Sequence, residues 1–147
     1  GDSMGTSFDA IEELALTIVS DYKIAKLYTA SVPDFQVYCD GFLISAIPNF
    51  TDCNQSLEYN LTTRTFNSDL TQLEISILAD FWVMAWLLKE TQDSTQIALK
   101  LSTTGGFETH SEAQNLKEKN AWLDKLRERV YQRITDYQLL NFEFSYI

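Results

Sequence analysis

The side chains that stand out for chemistry are one histidine, His110, two cysteines, Cys39 and Cys53, and one carboxylate inside an apolar run, Asp80. A general base needs a partner to orient it, and no serine–carboxylate context around His110 suggests a triad. His110 falls in a loop just before a helix, where it reads as a solvent-facing or capping neighbour. One histidine and two distant cysteines do not make a metal-ligand set. The cysteines are not in a C-x-x-C arrangement, so neither zinc nor redox chemistry is suggested. No Gly-rich phosphate loop, H-E-x-x-H or P-loop is present. The expectation is a protein that is not an enzyme and uses no cofactor and no metal.

Asp80 belongs to the stretch the chain must pack around, NSDLTQLEISILADFWVMAWLLKE from Asn67. Thr71 is a good N-cap there, because its hydroxyl can accept from an amide of the first turn. Glu74, three residues on, can reach back to the cap's own N–H, and Leu70 with Ile75 can close a hydrophobic staple. From Ile77 to Leu88 every residue but Asp80 is apolar, including Phe81, Trp82 and Trp86. A helix that is apolar on all sides must be covered on all sides. Its apolar part rises about 18 Å, short of the roughly 30 Å of a bilayer core. It is therefore a core helix, expected at about 71–90. A buried carboxylate is costly, so Asp80 must pair with a base, take hydrogen bonds or face a wet seam. The favoured reading places it on a helix edge beside Ser76 and Met84, in partial contact with water.

Other elements follow from spacing. Phe8, Ile11, Leu14, Ala15 and Ile18 predict a short helix over 8–19. Ser20 or Asp21 offers a fresh start before YKIAKLY, where Ile24, Leu27 and Tyr28 share a face. Ser31 reads as the next cap, with Pro33 in the tolerated first turn and Asp34 at the positive end of the dipole. Phe35, Tyr38, Phe42 and Ala46 then make one face, ended by Pro48. Gly41 inside that helix costs about 1 kcal/mol relative to Ala, which a close helix crossing would explain. Leu57, Tyr59 and Leu61 alternate with polar residues, so 49–68 is expected to be an extended connection or a small hairpin.

Residues 92–101 fit strand and helix alike. Gly105-Gly106 reads as a flexible turn. Ser111 with Gln114 gives a second capping box, opening a long helix at about 112–140 with the stripe Leu116, Leu123, Leu126, Val130, Ile134 and Tyr137. The last residues alternate Phe142, Phe144 and Tyr146 with polar ones. They are expected either to fold back on the core or to anchor another chain. The fold class is thus mainly α: a helical bundle around the central helix and the long C-terminal helix, with at most a small β element. The expected organisation is a vector-derived or disordered leader at 1–7, one helical domain at 8–140 and an extended tail at 141–147. Trp82, Trp86 and Trp122 are core first and interface anchors second. Together the two long helices and the tail carry more apolar surface than one small subunit is expected to hide.

The chain has 147 residues, 45% of them hydrophobic and 22% charged, with a formal charge of −10. That suits one globular domain with a real core and argues against non-specific nucleic-acid binding, which needs bases to neutralise phosphates. Residues 117–133 nonetheless hold six basic and three acidic residues, against five and sixteen in 1–116. That helix is either a solvated face or a partner for an acidic surface of a neighbouring copy. No signal peptide is visible, so free thiols in a reducing cytoplasm are expected. The N-x-[S/T] triplets at Asn49, Asn54 and Asn60 are read as chance products of a polar loop.

LTQLEISILADFWVMAWLLKE, a loop with GGF, and HSEAQNLKEKNAWLDKLRERVYQRITDYQ together resemble the small head–tail connector (neck or adaptor) proteins of tailed bacteriophages infecting Gram-positive bacteria. DYKIAKLY and GFLISAIPNFTDCNQSLEYN extend the resemblance, which covers about residues 21–137. It implies a structural virion protein of the neck between capsid and tail, assembled in the host cytoplasm. Such subunits form a homo-oligomeric ring, typically a dodecamer, that docks on the portal protein, extends the DNA channel and gives the stopper or tail its attachment surface. DNA would pass through without specific binding, and no membrane is involved. By similarity, Arg129, Arg133, Phe142, Phe144 and Tyr146 are candidates for portal contact, and Gly105, Gly106 and Phe107 for neighbour or lumen contact. The alternative is a soluble helical binding or regulatory module with a single protein partner.

Overall fold

The computed structural model describes residues 5–19, 32–104 and 108–146, the side chains at 32–33, 90–104, 108–116 and 142–146 excepted. The elements in chain order are α1 (Phe8–Ile18), α2 (Val32–Ala46), a 3-10 turn (Ile47–Asn49), β1 (Tyr59–Asn60), β2 (Thr65–Phe66), α3 (Gln72–Thr104) and α4 (Glu108–Tyr146). The fold is mainly helical, as expected. The helix starts expected at Ser20, Asp21 and Ser31, and the Gly105-Gly106 turn, lie outside the described residues.

The central helix α3 is the hub, in contact with α1, α2, the 3-10 turn and α4. Its start is the expected capping box: the Glu74 N–H donates to Thr71 Oγ at 3.2 Å, and the Thr71 N–H donates to Glu74 Oε1 at 2.8 Å. Leu70 and Ile75 on either side of the cap are both buried. Ile77, Leu78, Ala79, Trp82, Val83, Trp86 and Leu87 are almost fully buried against the neighbouring helices. Trp82 donates its indole N–H to the Cys39 carbonyl of α2 at 2.9 Å, and Phe42 meets its ring edge-on at 5.3 Å. Most of the apolar run is thus covered by its own chain, and what stays uncovered lies at its end, where Met84 and Ala85 are partly buried and Leu88 is exposed.

Helix α1 is capped by Ser7, whose hydroxyl accepts from the Asp9 N–H, and buries Phe8, Ile11 and Ala15. The expected face of α2 (Phe35, Phe42 and Ala46 buried, Tyr38 partly) is turned to the core. Along α4, Leu123, Leu126, Val130 and Tyr137 are buried. Glu74 meets Tyr137 and Asp80 meets Arg129 and Arg133, so α3 and α4 run antiparallel.

Several sequence expectations are corrected. The central helix runs on to Thr104, since nothing in 91–104 breaks a helix before Gly105. Helix α4 begins at Glu108, which places His110 and Ser111 inside it rather than in a loop and at a cap. It also continues to Tyr146 in place of an extended tail, for 138–146 contains neither Gly nor Pro. Residues 5–7, expected within the leader at 1–7, are ordered against the hairpin. The Phe66 N–H donates to the Thr6 carbonyl, the Thr6 N–H to the Ser68 carbonyl, and Ser7 bridges Thr65. Gly5 sits so close to this segment that a Cβ there would collide with the Phe66 carbonyl. Gly41, conversely, has nothing within 4 Å of where its Cβ would be, so no close helix crossing explains it.

The small β element is a hairpin pairing Tyr59 with Phe66 and Asn60 with Thr65. Its turn is held by the Asn60 side chain, which accepts from the N–H groups of Thr62 and Thr63. The last turn residue, Arg64, has φ 55°, in the left-handed region.

Candidate functional site

Asp80 is fully buried, not on a wet edge. Arg129 reaches Oδ1 at 2.7 Å and Arg133 reaches Oδ2 at 2.8 Å. Both arginines come from one side of α4, four residues apart, so each takes one carboxylate oxygen. Burial pushes the Asp80 carboxyl up from its ordinary value, while the hydrogen bonds and charges of the two guanidinium groups pull the other way. Arg133 also donates to the Ser76 carbonyl. The arginines proposed by similarity for portal contact are therefore engaged within the chain.

Six residues earlier on α3, Glu74 gathers a second polar centre. Tyr137 donates its hydroxyl to Oε2 at 2.6 Å and accepts from the Asn54 N–H at 2.8 Å. Gln55 donates to Oε1 at 2.6 Å, and the Cys53 thiol approaches Oε2 at 3.5 Å. Burial raises the Glu74 carboxyl, but hydrogen bonds from Tyr137, Thr71, Gln55 and Cys53 outweigh it and leave it below its ordinary value. Tyr137 is pushed up by burial and by its bond to Glu74. The centre joins α3, α4 and the 50–57 loop.

A third centre surrounds Arg64. Its guanidinium binds both Asp40 oxygens at 2.8 Å, Glu12 at 3.1 Å and Asp9 at 2.9 Å, and lies over the Phe8 ring. The Arg64 carbonyl accepts from the Phe8 N–H. A non-glycine residue at positive φ costs about 1 kcal/mol or more, which these contacts offset. Glu12 is buried, and burial together with the adjacent Asp40 pushes its carboxyl up to about 9. Burial raises Asp40 too, but hydrogen bonds from Arg64 and Glu12 bring it below its ordinary value. Glu12 Oε2 is buried without a hydrogen-bond partner, an environment that favours the neutral form of this carboxyl.

These centres tie segments together and do not activate a nucleophile. Burial, with Glu12 and Asp40 nearby, drives the Cys39 thiol up to about 12, and burial raises Cys53 as well. Both thiols are free and protonated at neutral pH. Among the described residues, no group of three or more His, Cys, Asp or Glu is arranged to hold a metal, and no helix is long and apolar enough to cross a membrane.

One concave feature among the described residues is an open groove of about 730 Å³ between α2, α3 and α4. Phe42, Phe81, Met84 and Ala85 line its floor, Leu88 and Tyr131 its walls, and Lys89 and Arg127 its rim. Leu88 is 46% and Tyr131 63% exposed, so two large apolar side chains stand in water here. Farther along α4, Leu139 and Leu140 are exposed too. The side chains of Phe142, Phe144 and Tyr146, and residues Gly105, Gly106 and Phe107, lie outside the described ones. The groove and the Arg64 centre are not foreshadowed by the sequence patterns. The groove residues come from three helices with no common period, and Arg64 stands alone in a polar loop, 24 residues or more from its partners.

Comparison of the chain with protein-family models, curated proteins and solved structures found no match.

Proposed function

We propose that this chain is a structural assembly subunit, a head–tail connector of a tailed bacteriophage neck, whose copies form a ring on the portal and extend the DNA channel. The specific neck role rests on the resemblance of the α3 and α4 sequences. The observation that favours assembly is the groove, where Leu88 and Tyr131 remain exposed beside a floor of Phe42 and Phe81. Apolar side chains left in water beside a concavity suit contact with another protein surface. The acidic balance of −10 suits a channel through which DNA slides without sticking, since few bases make few phosphate contacts. Rigid helices pinned by Asp80 and Glu74 suit a ring subunit that must hold its shape under load.

Electron microscopy of the purified chain mixed with portal protein tests the reading. Rings seated on the portal are expected. No ring and no co-sedimentation with portal at any mixing ratio would refute it.

A further inference from the structure

We infer that the groove between α2, α3 and α4 receives the C-terminal end of α4 from a second copy of this chain, making a head-to-tail contact. The inference deepens the assembly reading above, and it moves the tail from the portal, where the resemblance puts it, to the next subunit.

The occupant follows from three observations. The first is what the groove asks for: an apolar ligand to cover the exposed Leu88 and Tyr131, with negative charge to meet Lys89 and Arg127, the latter paired only at 3.8 Å with the exposed Asp124. The second is where the chain offers that. Leu139 and Leu140 are 56% and 46% exposed, Phe142 and Tyr146 follow Leu139 at helical spacing, and Asp136 and Glu143 are the charged residues after Arg133. The end of α4 from Gln138 on is thus apolar in sequence with Glu143 as its charge, in a chain whose groove carries Lys89 and Arg127.

The third observation excludes the same molecule. Tyr131 in the groove and Leu139 in the tail belong to one unbroken helix, α4. Leu139 therefore lies about 12 Å farther along the axis, and the helix from Leu140 to Tyr146 farther still. A helix cannot bend back onto its own wall, so the tail can reach this groove only on another copy. Groove and tail are different surfaces, so the contact is heterologous and propagates from copy to copy, closing into a ring when the rotation allows.

The test uses the full chain without portal, by sedimentation velocity over a wide concentration range. Tyr131→Glu blocks the groove and Leu139→Glu with Leu140→Glu blocks the tail. All three positions are exposed, and circular dichroism checks the fold. Leu88→Glu replaces Tyr131→Glu if that variant misfolds. The intact chain is expected to grow beyond two copies with concentration, and each variant alone to stay a single chain. An equimolar mixture of the two variants is expected to restore a two-chain species and nothing larger, since one good groove meets one good tail. An intact chain that stays single at every concentration overturns the inference. So does association that either variant leaves unchanged, or a mixture that restores nothing. Because portal is absent, self-association without portal docking would sink the neck role alone, and portal docking with intact rings in both variants would sink this contact alone.

Discussion

Removing the two arginines that face Asp80 should cost far more than removing Asp80 itself. In Arg129→Ala with Arg133→Ala, a fully buried carboxylate loses both guanidinium partners. Stripping one side from a buried ion pair costs about 3–5 kcal/mol, because the remaining charge is left without compensation. In Asp80→Leu the charge itself disappears. The arginines left behind are 43% and 33% exposed, so they can turn into water, and the leucine packs into an apolar helix. Apolar replacement of a buried charge is near neutral or stabilising, so the expected change is within about 1 kcal/mol of zero. Each single arginine variant keeps one partner and should fall between the extremes, at about 1.5–3 kcal/mol. Urea unfolding followed by tryptophan fluorescence reads these differences directly. The pH dependence supplies a second signature. Asp80 already sits above its ordinary value through burial, and losing both arginines raises it further. Stability tied to a raised carboxyl is complete below its ordinary value and lost as pH rises through the folded value. The double variant should therefore lose more at about pH 7.5 than at about pH 5. If Asp80→Leu costs as much as the double arginine variant, or if the double variant's loss does not change with pH, the clamp does not work as argued.

Tyr137→Phe deletes the hydroxyl that bridges Glu74 and the Asn54 N–H, and should cost about 1–3 kcal/mol in urea unfolding by leaving buried polar atoms unsatisfied. Glu12, raised to about 9 from 4.5, contributes stability that is present below its ordinary value and lost as pH climbs toward 9. Glu12→Gln, permanently neutral, should flatten the fall in thermal midpoint between those limits; an unchanged pH profile would show that Glu12 is ionised in the fold. Gly5→Ala forces a Cβ into the Phe66 carbonyl and should lower stability by about 1–3 kcal/mol. Gly41→Ala, with open space around it, should instead stabilise the subunit by about 0.5–1 kcal/mol; equal effects at the two glycines in calorimetry would contradict both.

The parts of the fold that follow from neighbours in sequence were legible. Thr71 and Glu74 cap the central helix as their three-residue spacing requires, and the apolar stripes of α1, α2 and α4 face inward. What remained hidden depends on distance along the chain. Asp80 was visibly out of place among apolar residues, but its partners lie 49 and 53 residues away. Arg129 and Arg133, four apart beside the buried Val130, were the signal that could have found them. Arg64 offered no such signal: its importance comes from a turn that brings it back to Asp9, Glu12 and Asp40. Gly5 looked dispensable because a glycine's role is set by what approaches it, here the carbonyl of Phe66, far along the chain. The groove, assembled from three helices, has no linear trace at all.

The polar pins along α3 also act as a vernier. Apolar stripes repeating every three or four residues tolerate a slip of one helical turn, which would exchange one leucine for another. Such a slip of α4 would bring Tyr137 opposite Asp80 and strip Glu74 of its hydroxyl, so the sliding coordinate has a single notch. The offset between the groove, built partly on α3, and the far end of α4 is consequently a fixed dimension of the molecule, and any larger object built by joining one to the other inherits a pitch that the subunit cannot retune.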